Sequence, residues 1–159
     1  MTKQNKSNYP PNALLRTLYR VPVYFYKIGL GWLFGKRFVF FLHVGRNSGK
    51  QYQTVVEVVE IEKDTGNVIV VAGYGERTQW YQNLHHMKST TIQLANQKHQ
   101  VGIEMISATA GADIMARYFQ RYGKLTRELF SILGYDWDGS EHGARQIAID
   151  HLRFVRFVR

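Results

Sequence analysis

Residues 38–61 constrain this chain more than any other stretch. Phe38 to Val44 (FVFFLHV) is apolar, aromatic-rich and of strand length. Gly45-Arg46-Asn47-Ser48-Gly49-Lys50 has turn chemistry, with two glycines for unusual dihedrals and Asn and Ser to bond their own backbone. Thr54 to Ile61 (TVVEVVEI) then returns as a second extended run. A hairpin tip with two cations, a hydroxyl, an amide and backbone N–H groups is a small anion receptor. It is not a P-loop, because three residues rather than four separate Gly45 from Gly49 and Gln51 follows Lys50. Nor is it a nucleophile elbow, since Ser48 directly precedes the second glycine. An ordinary tight hairpin with solvated charges accounts for the same glycines.

Around that hairpin the pattern alternates between short strands and amphipathic helices. Residues 1–11 read as a polar arm, and 12–159 as a single domain. Asn12 offers an N-cap for a helix over 13–20, and Pro22 breaks it or begins the next, with helix continuing over 23–27. Lys63-Asp64-Thr65-Gly66-Asn67 turns the second strand into a third, Val68 to Ala72, and Glu57 and Glu60 suggest that the second strand has one wet face. Gly73-Tyr74-Gly75 ends the third strand, and Thr78 is expected to cap a helix through Met87. A further hairpin is predicted over 90–106 around Asn96-Gln97. Thr109 is expected to cap the longest helix, ending at Gly123, with shorter helices over 125–133 and 140–149 and a closing strand over 151–159. Six mostly hairpin-joined strands with helices around them are best freed of sheet edges by closing into a small barrel.

Composition narrows the partners. The net charge of +9 favours an anionic one, but no nucleic-acid motif accompanies it, so nucleic-acid binding is not expected. There is no cysteine, hence no disulfide and no thiolate metal site. The apolar segment 21–43 is interrupted by Lys27 and by Lys36-Arg37, far short of the ~20 residues of a membrane span. It also lacks the form of a signal peptide, so a cytoplasmic protein is the default expectation. Trp32, Phe34 and the nearby tyrosines fit a core better than a membrane interface, although peripheral attachment at the inner membrane face stays open. His85 and His86 are adjacent and point apart on a helix, and the other histidines have no spacing partner, so no metal is expected. No nucleophile–base pair announces itself; an enzyme built this way would leave the difficult step to a bound cofactor.

Leu18-Tyr19-Arg20-Val21-Pro22-Val23, Gly29-Leu30-Gly31-Trp32-Leu33, the turn Gly45 to Lys50, Thr54-Val55-Val56-Glu57-Val58-Val59, Gly73-Tyr74-Gly75 and Trp80-Tyr81-Gln82-Asn83-Leu84 together resemble the deazaflavin (F-420)-dependent nitroreductase family of the flavin/deazaflavin oxidoreductase superfamily. The resemblance runs from about Leu14 to Ala95, and the pairing of G-R-x-S-G with W-Y-x-N-L is what makes it specific. It implies an α+β split β-barrel of the FMN-binding type. It also implies a reductase that holds reduced coenzyme F-420, an 8-hydroxy-5-deazaflavin, and passes hydride to a small unsaturated, quinone-like or nitro acceptor. The coenzyme's tail carries a phosphodiester and several glutamates, which suits a cationic hairpin tip.

On the family's pattern the cofactor-binding residues are Arg46, Asn47, Ser48, Gly49, Lys50, Tyr52, Thr54, Gly73, Tyr74, Trp80 and Asn83. A tyrosine lining the pocket, Tyr74 or Tyr135, is the candidate proton donor, although Tyr135 reads more readily as a packed aromatic after a helix stop. The family commonly has Lys at the position of Asn47 and Arg at that of Tyr52; Lys50 would offset part of that lost charge. FMN is the alternative cofactor, and a non-catalytic barrel for an apolar ligand or membrane surface the alternative function. A monomer or a homodimer is expected.

Overall fold

A computed structural model describes residues 23–159, apart from the side chains of Trp32 and Phe34. The expectations for the arm 1–11, the helix over 13–20, the break at Pro22 and the placing of those two side chains lie outside the described residues. Among the described residues there are six strands: β1 (Phe38–Val44), β2 (Gln51–Ile61), β3 (Val68–Ala72), β4 (Ser89–Leu94), β5 (Gln97–Ile106) and β6 (Arg153–Val158). They close an antiparallel barrel in the order β1-β2-β3-β6-β5-β4, which leaves no sheet edge. Four helices follow the third strand: α1 (Gln79–Leu84), α2 (Ala108–Arg121), α3 (Gly123–Leu133) and α4 (Glu141–His151). Residues 23–27 are also helical. The fold is an α+β split β-barrel.

Side-chain alternation divides the core in two. Val39 and Phe41 of β1, Val68, Val70 and Ala72 of β3, and Val155 and Phe157 of β6 fill the barrel with Tyr81 and Leu84 of α1. Ile69 and Val71 of β3 face the other way, onto Met115 and Tyr118 of α2, Phe130 and Leu133 of α3 and Ile147 of α4. Both faces of β3 are therefore covered, which explains its unbroken apolar run VIVVA. Burying side chains of this size stabilises by about 1.5–3 kcal/mol each. Tyr26 is buried and donates its hydroxyl hydrogen bond to the Phe38 carbonyl at 2.8 Å, whereas Tyr24, Ile28 and Leu33 are exposed.

Several local expectations are corrected. The face of β2 that carries Glu57 and Glu60 is only partly open to water, the two side chains being half-buried. A bulge between Val58 and Glu60 brings both carboxylates under α2, where Glu57 accepts from Tyr118 Oη at 3.0 Å and Glu60 pairs with Arg117. Ser107, not Thr109, caps α2 by accepting from the Ala110 N–H, because its hydroxyl stands three residues before that donor. Gly123 opens α3 rather than ending α2; Tyr122 is the boundary residue. The β4–β5 turn is Ala95-Asn96, with Gln97 already in the strand. Thr78 precedes α1, but its side chain makes no capping bond, and α1 stops at Leu84.

Candidate functional site

The hairpin strands pair residue by residue, from Phe38 opposite Glu57 to Val44 opposite Gln51. The turn is closed by the Gly45 N–H to the Lys50 carbonyl and the Gly49 N–H to the Gly45 carbonyl, each 2.8 Å. Gly49 sits at φ +67°, a conformation that L side chains rarely adopt. Ser48 Oγ accepts from the Lys50 N–H at 3.3 Å and lies 3.3 Å from Tyr52 Oη. Asn47, Ser48 and Lys50 are exposed.

Arg46 is exposed as well, yet it is tied down. Its backbone N–H and its Nη1 donate to Asn83 Oδ1 at 3.1 and 3.0 Å, and Nη1 also donates to Gln79 Oε1 at 3.1 Å. The hairpin tip is thereby clamped to α1.

Beside this clamp a cleft of about 530 Å³ opens. One wall is the start of β2, Tyr52 to Glu57. The opposite wall is Gly73, Tyr74, Thr78, Gln79 and Trp80, and Leu129 and Leu133 of α3 close the end. The surfaces are mostly apolar with a few convergent polar groups, as ligand clefts commonly are. Trp80 is held edge-on against Phe41, with ring centroids 5.4 Å apart. A Cβ at Gly73 would come within 2.7 Å of Leu133 Cδ2, so a larger residue here requires the Leu133 side chain to move. Thr78 is 7% exposed, and its Oγ1 is buried with no hydrogen-bond partner among the described residues. An orphaned buried hydroxyl in a cleft wall is an uncommon state, since buried polar atoms are nearly always paired.

His43 is the third inward residue of β1 after Val39 and Phe41, and it lines the same cleft at 5% exposure. Its Nδ1 lies 2.9 Å from Asn83 Nδ2, its Nε2 lies 3.0 Å from Thr54 Oγ1, and its ring stacks on Tyr52. Burial pushes its pKa from the ordinary 6.5 down to about 4, so the imidazole is neutral near pH 7.

Of the residues singled out in the sequence, Tyr52, Thr54, Gly73, Tyr74 and Trp80 line the cleft. Arg46, Asn47, Ser48, Gly49 and Lys50 do not; they form the tip at its rim, and Arg46 borders a neighbouring depression with Glu76, Tyr81, Gln82, His85 and His86. Asn83 is buried behind the wall and connects the two regions. Tyr135 is also behind the wall, donating from its hydroxyl to the Gly73 carbonyl at 2.7 Å. His43, Thr78 and Gln79 line the cleft too, although the sequence reading gives none of them a role in the site. The period-two alternation of β1 was the available sign for His43, because it puts residue 43 on the same side as Val39 and Phe41.

A sequence model of F420H(2)-dependent quinone reductases matches residues 20–128. The chain belongs to the F420H(2)-dependent quinone reductase family. It is an oxidoreductase, and the family's reductant implies coenzyme F-420. No curated protein matches the chain. Among solved structures it is similar to Atu2129, a protein of unknown function from Agrobacterium tumefaciens str. C58, at 15% identity and TM-score 0.54. That match covers 87% of this chain but 55% of the other, so the chain spans little more than half of that relative. Conserved hypothetical protein Rv2991 from Mycobacterium tuberculosis is matched at 15% identity and TM-score 0.54, over 83% of this chain and 78% of that one. The F420-H2 dependent reductase FDR-A is matched at 19% identity and TM-score 0.45, over 79% and 96%.

Within this quinone reductase family member the two stretches that carried the resemblance meet in space. Arg46 of the G-R-x-S-G turn donates to Asn83 of the W-Y-x-N-L stretch. Among the described residues no helix is long and apolar enough to cross a membrane, and no three potential ligands gather to hold a metal ion.

Proposed function

We propose that the protein holds reduced F-420 in the cleft between β2 and the Gly73–Trp80 segment and passes its hydride to a quinone. The observation that carries this reading is the Arg46 clamp, which joins a cationic hairpin tip to the wall of a 530 Å³ apolar cleft. When bound, the reduced deazaflavin supplies a hydride from its ring.

The protein's residues fit such a group. Tyr74 and Trp80 offer aromatic surface to a flat ring. Gly73 leaves the backbone approachable, and the Thr78 hydroxyl, without a partner among the described residues, would offer a hydrogen bond to a polar atom of the ring. Arg46 and Lys50 hold the negative charge of the tail at the rim, each charge-assisted bond contributing about 1.5–3 kcal/mol. Val55, Val56, Val71 and Leu133 exclude water from the space where ring and acceptor meet.

The test is a titration of the purified protein with F-420 and with FMN, followed by anaerobic oxidation of F420H2 with menadione. Binding of F-420 and quinone-dependent turnover are expected. Tight FMN with no F-420 binding would overturn the proposal.

A further inference from the structure

Four hydrogen bonds link the hairpin tip through Asn83 and His43 to Thr54 in the cleft, and their directions are fixed by chemistry. An arginine side chain and a backbone N–H are donors only. Both reach Asn83 from the Arg46 side, so the atom facing them is the amide oxygen. The amide nitrogen therefore faces His43 Nδ1, 2.9 Å away, and donates to it. A donor pointed at Nδ1 requires a bare lone pair there, since a second proton would set two donors against each other in a buried site. The single proton of the neutral ring is on Nε2, facing Thr54 Oγ1 at 3.0 Å. Thr54 Oγ1 then accepts, and its own hydrogen is left to donate elsewhere. Thr54 lines the cleft.

We infer that His43 is a positioning residue: held as the Nε2–H tautomer by Asn83, it makes the Thr54 hydroxyl a hydrogen-bond donor aimed at a carbonyl oxygen in the cleft. That oxygen belongs either to the ring of the bound cofactor or to the quinone. Both sources present the same chemistry, an acceptor on a flat conjugated ring. With the other tautomer Nε2 would accept from Thr54, and the cleft would meet an acceptor instead. The identity of the ligand rests on the function proposed above; the tautomer does not.

Two measurements decide it. The first is long-range 1H–15N correlation NMR of the 15N-labelled protein without cofactor, with His43→Gln used to assign the resonance. A bare Nδ1 and a protonated Nε2 are expected at pH 7; the opposite tautomer or an imidazolium overturns the inference. The second compares Thr54→Val and Thr54→Ser, with Thr54→Ala standing in if the valine variant does not fold. Loss of one hydrogen bond predicts about a tenfold weakening in Thr54→Val, recovered in Thr54→Ser. A change in F-420 dissociation constant assigns the cofactor as the acceptor. A change in menadione KM at constant F-420 affinity assigns the quinone. No change in either, or no recovery with serine, overturns the inference. Failure of the wild type to bind F-420 would count against the proposed function alone, because the NMR result needs no ligand.

Discussion

Tyr135 donates its hydroxyl hydrogen to the carbonyl oxygen of Gly73 across 2.7 Å, pinning the segment after α3 to the end of β3 where that strand becomes the cleft wall. Burial raises the Tyr135 pKa to about 12, so the phenol stays protonated and committed to that carbonyl at neutral pH. Tyr135→Phe is therefore expected to lose about 1 kcal/mol in urea unfolding. Turnover should stay within about threefold, against the ~100-fold or greater loss of a missing general acid. A large fall in kcat with unchanged stability would restore Tyr135 as a proton donor.

Gly75 has φ +59°, and a Cβ there would overlap the backbone carbonyl oxygen of His151. Neither the strained dihedral nor the backbone obstacle can be relieved by a rotamer change. Gly75→Ala should cost about 2 kcal/mol or more. Because Gly75 leads into Thr78 and Trp80, cofactor affinity should fall with it. Calorimetric melting and an F-420 titration on the same sample check both effects.

Arg46 does two jobs that a substitution can separate. Arg46→Lys keeps a cation at the tip but lacks the fork that reaches both Asn83 and Gln79. Arg46→Ala removes the cation too. Both variants should lose about 1 kcal/mol of stability, while F-420 binding should fall further in the alanine variant. Equal binding losses would mean that the clamp matters and the charge does not.

His43 gives the fold a pH dependence of known sign. Unfolded, the imidazole titrates near its ordinary 6.5; folded, burial holds it down at about 4. Between those values the unfolded chain carries a proton that the folded chain does not. Stability therefore falls as the pH is lowered from ~6.5 to ~4, and this group contributes no slope above that window. The separation corresponds to about 3 kcal/mol. Urea unfolding of wild type and His43→Gln across pH 4 to 8 should show a slope in the difference that vanishes above pH ~7.

Asn47 is exposed at the tip, where the family commonly carries lysine. If the rim holds an anionic tail, Asn47→Lys should tighten F-420 binding several-fold at low salt, with the gain shrinking as the Debye length falls to ~8 Å near physiological ionic strength. A salt-independent gain, or none, would place the tail elsewhere.

How much could be read without coordinates depended on whether neighbours in sequence were enough. The limits of β1 and β3, and the stop of α3 at Gly134, follow from local pattern and turn residues. The cap of α2 was misread because Ser107 and Thr109 are both competent, and backbone geometry at the end of β5 chose between them. Glu57 and Glu60 looked wet because nothing local shows that α2 will bring Tyr118 and Arg117 over them. Within the candidate site, the tip's charge was legible, whereas Arg46's attachment to Gln79 and Asn83 was not.

By itself the sequence determined the strand–turn–strand unit, the cationic tip and the family, because each is written in residues close together or in a spaced motif. The tertiary structure alone decided that His43 is buried and neutral, that the Thr78 hydroxyl is buried without a partner among the described residues, and that Tyr135 serves Gly73. Those states depend on what barrel closure and helix packing place around each group, and solvation and hydrogen-bond direction are properties of that surrounding rather than of the residue.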